Sequence, residues 1–158
     1  MGCFSSVPSG LTTSCSPSVN GTADIIDTKV QNALQTFDID ESSITAGSTI
    51  TAMAIKICAD QAAGGENATA QSIRCVSASC TGFGSSFTTT SAATDYTQTH
   101  SSLSITDLSD IEIGGEKTGG GVNKKFRIYR ILVDITYTPP AGGSANSSFG
   151  YIMGGLLQ

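Results

Sequence analysis

Three features of this sequence predict an all-β fold. Strand-type alternation fills Lys124 to Thr138, a second alternating run fills Thr49 to Asp60, and Gly pairs and Ser/Thr-rich turns cut the rest at short intervals. Together they fit a single antiparallel β-sandwich, jelly-roll-like, of about seven to nine strands with extended N- and C-terminal arms. The expected divisions are an N-terminal arm over residues 1–22, a sandwich over 23–140, and a Gly/Ser linker with an apolar tail over 141–158.

Residues 1–22 are Ser, Thr, Pro and Gly around Cys3 and Cys15, which suits an extended arm. From Thr22 to Asp38 the residues Ile26, Val30, Leu34 and Phe37 fall three or four apart. That spacing predicts a short helix capped by Thr22, with a half-buried strand as the alternative. In Thr49 to Asp60, Met53, Ile55, Ile57 and Ala59 alternate with Ala54, Lys56 and Cys58, and Gly64-Gly65 ends the strand. Shorter strands are expected around Ser72 to Ser77, at Phe87 to Thr90, and around Leu103, Ile105, Ile111 and Ile113. Cys80 to Gly84 reads as a turn, and Gly114-Gly115 with Gly119-Gly120-Gly121 bracket a hairpin loop. The final long strand places Tyr129, Ile131, Val133, Ile135 and Tyr137 on one face and Phe126, Ile128, Arg130, Leu132, Asp134 and Thr136 on the other. Pro139-Pro140 ends it, because proline cannot donate to a ladder. Ile55, Ile57, Ile131, Val133 and Ile135 are the expected core.

The surface such a chain presents is rich in hydroxyls. Only 13% of its 158 residues are charged, about half the usual share, while it holds 22 Ser and 20 Thr. Uncharged surface loses little desolvation energy when another molecule covers it, which suits packing into lattices or fibres. The net charge is −5. Lys124, Lys125, Arg127 and Arg130 form the one basic stretch, and alternating basic residues on a strand are the usual edge protection, so no nucleic-acid partner is expected.

Five cysteines in one small chain point to an oxidising compartment if they pair. Cys75 with Cys80 would close a turn, and Cys3 with Cys15 would close an N-terminal loop, leaving one thiol over. Zinc is the rival use, but no Cys-x-x-Cys pair is present and His100 is alone and distant. Asn20, Asn67 and Asn146 begin glycosylation sequons compatible with secretion. No leader pattern is visible at the start, and Met1-Gly2-Cys3 also fits a myristoylation pattern that conflicts with a secreted setting. The apolar ending Phe149 to Leu157 is too short to span a bilayer, since a spanning helix needs about 20 residues. Phe149, Tyr151, Ile152, Met153, Leu156 and Leu157 are instead candidates for docking on a neighbouring subunit, with folding back onto the same sandwich as the alternative.

Catalytic constellations are missing from the pattern. His100 has no nucleophile elbow beside it and reads as an exposed loop histidine, and Cys58 lies inside a strand, where thiols are usually inert. Two carboxylate groups, Asp38 with Asp40 and Glu41, and Asp107 with Asp110 and Glu112, are weak calcium candidates, because neither has the twelve-residue loop and its glycine.

The stretch Phe126-Arg127-Ile128-Tyr129-Arg130-Ile131-Leu132-Val133-Asp134-Ile135-Thr136-Tyr137-Thr138-Pro139 resembles the last strand of β-sandwich structural proteins of tailed phages and of environmental sequences. Ile50 to Ala59 and Leu103 to Gly114 are similar to earlier segments of the same proteins, so the likeness runs from about residue 44 to residue 139. This chain lacks the Trp those proteins often carry between the two segments. The resemblance implies a sandwich and a structural setting, and carries no catalytic residue over. The expected function is thus a non-catalytic structural subunit that self-assembles through its arms into a virion surface component, fibre or extracellular filament. Its partners would be copies of itself and other structural proteins of that assembly, with no cofactor and no membrane span. The alternative is an extracellular binding module, an adhesin or carbohydrate-binding sandwich, although a sugar binder would usually expose Trp or Tyr.

Overall fold

The computed structural model describes residues 15, 26–28, 32, 34–39, 44–62, 67–77, 79–108, 111–120, 125–141 and 148–153. Among them lie nine strands and no helix: β1 (Ile26–Thr28), β2 (Leu34–Asp38), β3 (Thr49–Ala62), β4 (Thr69–Val76), β5 (Ser79–Thr88), β6 (Thr94–Ile105), β7 (Ile111–Gly119), β8 (Lys125–Thr138) and β9 (Ser148–Met153). They form a five-stranded sheet ordered β1-β8-β3-β6, with β9 also on β8, and a four-stranded sheet ordered β2-β7-β4-β5. Every pairing is antiparallel.

The core lies between the sheets and follows the pleat. Ile55 stands opposite Val133, Ile57 opposite Ile131 and Met53 opposite Ile135, all at most 1% exposed. Ile111 and Ile113 meet them from β7. Burying one such side chain contributes about 1.5–3 kcal/mol, so these three cross-strand pairs dominate the stability of the central sheet.

Four expectations fail for local reasons. Ile26–Thr28 and Leu34–Asp38 are strands, not parts of a helix, and between them Asn32 takes a left-handed φ of 61° and donates its N–H to the Lys117 carbonyl. β1 then pairs with β8 and β2 with β7, and tertiary pairing overrides a weak helical spacing. Gly114-Gly115 is no loop but the buried middle of β7. A Cβ on Gly115 would come within 2.9 Å of Ile128 and 3.3 Å of Phe126, so glycine is there to admit large side chains from the facing sheet. Cys80 to Gly84 belongs to β5, and the turn lies before it, with Ser77 at φ 48°.

The fourth failure is one of phase. Cys58 pairs with Arg130, but its neighbour Ala59 pairs with Ile128, so Tyr129 is an extra residue in β8. This bulge turns Phe126 and Ile128 into the core and leaves Tyr129 beside Arg130 on the outer face.

At the other end of β8 the same strand receives the C-terminal segment. Ser148 to Met153 pairs with Ile131 to Thr136 of its own chain, so Phe149, Tyr151, Ile152 and Met153 extend the home sheet instead of a neighbour's. Leu156 and Leu157 lie outside the described residues, as does most of the expected arm over 1–22.

Candidate functional site

The densest polar cluster sits on the outer face of the five-stranded sheet. Pleating places Cys58 and Asp60 of β3 on that face, and the bulge adds Tyr129 and Arg130 of β8. Asp95 of β6 stands opposite Cys58 from the other side. Arg127 grips Asp60 through both Nε and an Nη atom at 2.8 Å, and the Tyr129 hydroxyl donates to the same carboxylate at 2.8 Å. The Arg127 guanidinium also lies 5.6 Å from the Tyr129 ring centre. Arg130, 6% exposed, donates to Asp95 at 3.0 Å.

Burial, reinforced by the hydrogen bond to Asp60, raises the Tyr129 phenol to about 12, so it keeps its proton at any physiological pH. Asp60 accepts three hydrogen bonds, two from Arg127 and one from Tyr129. The cluster therefore ties β3 to β8 and β8 to β6.

A disulfide between Cys15 and Cys58 fastens the N-terminal region to this face. The expected Cys3–Cys15 bridge is thereby corrected: Cys15 is already bonded, and Cys3 lies outside the described residues. Cys58 is buried as expected, yet it points away from the core, where the alternation of Ile55 and Ile57 already puts it. The two sulfurs and the Asp95 carboxylate lie within 4.8 Å of one another. Bonded as a disulfide, the sulfurs are not the thiolates a soft metal needs. The second bridge, Cys75–Cys80, joins directly opposed residues of β4 and β5, as the spacing suggests.

His100 is a strand residue of β6, half-buried and opposite Met53, not an exposed loop histidine. Its neighbour Gln98 reaches the four-stranded sheet, where the β4–β5 ladder slips between Ala70 and Ser72. The Gln98 amide oxygen accepts the Ser72 N–H at 2.6 Å, and its NH₂ donates to the Ser85 carbonyl, so one side chain satisfies the backbone at the slip. Phe87 stacks on Tyr96 at 4.3 Å and closes this flank.

Of the calcium candidates, Asp38 and Glu112 come from separate stretches of sequence yet stand directly opposite across β2 and β7. Glu112 accepts a hydrogen bond from Thr36. Asp107 is exposed beyond β6, and Asp40, Glu41 and Asp110 lie outside the described residues, so no ligand shell can be traced. Asn67 is exposed just before β4, whereas Asn20 and Asn146 lie outside the described residues. One open groove of about 490 Å³ runs between the ends of β4 and β6, lined by Arg74, Val76, Ser102, Ser104, Ile105 and Asp107 among others.

Sequence reasoning missed the Asp60–Arg127–Tyr129 group because its members are 67 and 69 residues apart and meet only through strand register. No helix among the described residues is long and apolar enough to cross a membrane. Two disulfides fit an oxidising compartment such as the cell exterior. No protein-family model, no curated protein and no solved structure matches the chain.

Proposed function

We propose that the chain is a non-catalytic structural subunit of jelly-roll type that assembles with further copies into a virion surface component, fibre or extracellular filament. The carrying observation is the surface of β5 and β6. Apart from Cys80 and Gly84, every exposed residue described on these two strands is Ser or Thr, and none is charged. A second molecule covering this surface strands no ion and meets little desolvation cost.

The jelly-roll reading is supported by the pairing itself: β1 with β8, β2 with β7, β3 with β6 and β4 with β5 is the pattern of one long hairpin wound around a core. Domains of that winding serve in viral capsids and in lectins. The resemblance of the β8 stretch to phage structural proteins points to the first of these. Assembly no longer needs the C-terminal tail as a donated strand, since β9 lies on its own sheet.

The second reading, an adhesin or carbohydrate-binding module, draws on the groove with its Arg74, Asp107 and hydroxyl lining. Negative-stain microscopy of the purified protein separates the two. Rings, fibres or lattices are expected; dispersed monomers that bind glycans would reverse the order.

A further inference from the structure

We infer that subunits join edge to edge through β6, antiparallel to β6 of a second copy, with Thr97–Thr99 of one chain opposite Thr97–Thr99 of the other. The inference rests on the assembly reading above and names its contact.

A two-sheet sandwich has four edges, and three of them are blunted. Beyond β8 the outermost strands are β1 and β9, of only three and six residues. β2 has only five residues. β5 is broken by the slip opposite Ala70 and Ser72, with Gly84 at φ 68°. β6 ends its own sheet. From Thr94 to Ser101 it pairs residue for residue with Ala59 to Ala52 of β3, and its irregularity, with Ser102 at φ 61°, comes only after that. It therefore presents eight regular residues without proline, lysine or arginine, the devices by which natural edges are usually protected. Gln98 holds the middle of this edge in place from the inside.

The edge also complements itself. Its outer face reads Asp95, Thr97, Thr99 and Ser101. In an antiparallel pair centred on Gln98, Thr97 faces Thr99 and Asp95 faces Ser101. Moving the centre one residue either way sets Asp95 opposite Thr99 or Leu103. Carboxylates never meet, Asp95 is already neutralised by Arg130, and opposed threonine hydroxyls contribute favourably across a ladder.

The test is a Thr97→Cys/Thr99→Cys variant made in a Cys3→Ser background and oxidised mildly at a concentration where the protein associates. The three registers place 97 against 97, 97 against 99, or 99 against 99, so a disulfide-linked dimer is expected from each. Thr99→Lys should weaken association at least tenfold without changing the melting temperature, while Thr81→Lys on β5 should not. Assembly that persists in Thr99→Lys, with no cross-link through residue 97 or 99 in the double-cysteine variant, would overturn the β6 contact and leave the structural role standing. A protein that stays monomeric at all concentrations would overturn both.

Discussion

Val133 and Asp134 are neighbours in β8 with opposite environments: Val133 is 0% exposed against Ile55, and Asp134 is exposed. A carboxylate is welcome one residue away and intolerable at the core position. Val133→Asp should lose the folded state, because an unpaired buried carboxylate costs several kcal/mol, a large part of the roughly 5–15 kcal/mol that stabilises a domain. Loss of the cooperative thermal transition checks this, and an unchanged melting curve would refute the strand's phase. Tyr129 makes a second residue-scale prediction. Its folded pKa is about 12 against an unfolded 10.0, so its contribution is fully present below pH 10 and fades as pH rises toward 12. Tyr129→Phe should flatten that alkaline loss of stability and remove a phenol that titrates near pH 12, which ultraviolet difference absorbance near 295 nm reads directly.

At the scale of elements, β9 and the two disulfides carry the predictions. Truncation after Ala141 uncovers β8 from Ile131 to Thr136, so the shortened protein should melt lower and aggregate through the open edge. A truncated protein as stable and monodisperse as the full chain would mean that β9 contributes nothing there. Non-reducing peptide mapping should recover Cys15 with Cys58 and Cys75 with Cys80. Sequence separations of 43 and 5 residues make the first bridge worth about 4 kcal/mol and the second about 2 kcal/mol in the loop-entropy picture, so Cys15→Ser/Cys58→Ser should be the more damaging double substitution.

These elements also show what the sequence made legible. The core faces of β3 and of β8 beyond the bulge could be read because a half-buried strand alternates with period two. The bulge could not: an added residue at Tyr129 has no compositional mark, and it moved Phe126 and Ile128 from the outer face to the core. Gly114-Gly115 looked like a loop because glycine usually marks one, whereas here Gly115 makes room for those same two side chains. The Cys15–Cys58 bridge and the Asp60–Arg127–Tyr129 group depend on register between distant strands, which local periodicity does not encode. Cys75–Cys80 was legible because its two ends flank one tight turn.

For the whole molecule, the two antiparallel sheets leave, among the described residues, β6 as a long regular edge without proline, lysine or arginine, and a flank of exposed hydroxyls. The fold thus combines a buried core of Ile, Met, Val and aromatic side chains with an exposed β5–β6 surface that is almost entirely Ser and Thr. That combination is the physical basis of the proposed structural role. The most direct measurement is sedimentation velocity of the full-length protein, disulfides intact, over a concentration series of about a hundredfold at physiological salt. The sedimentation coefficient should climb with concentration into discrete larger species, little affected by added salt because the one charged side chain along the contact, Asp95, is already paired with Arg130. A single monomer boundary throughout, from protein that is demonstrably folded, would contradict it.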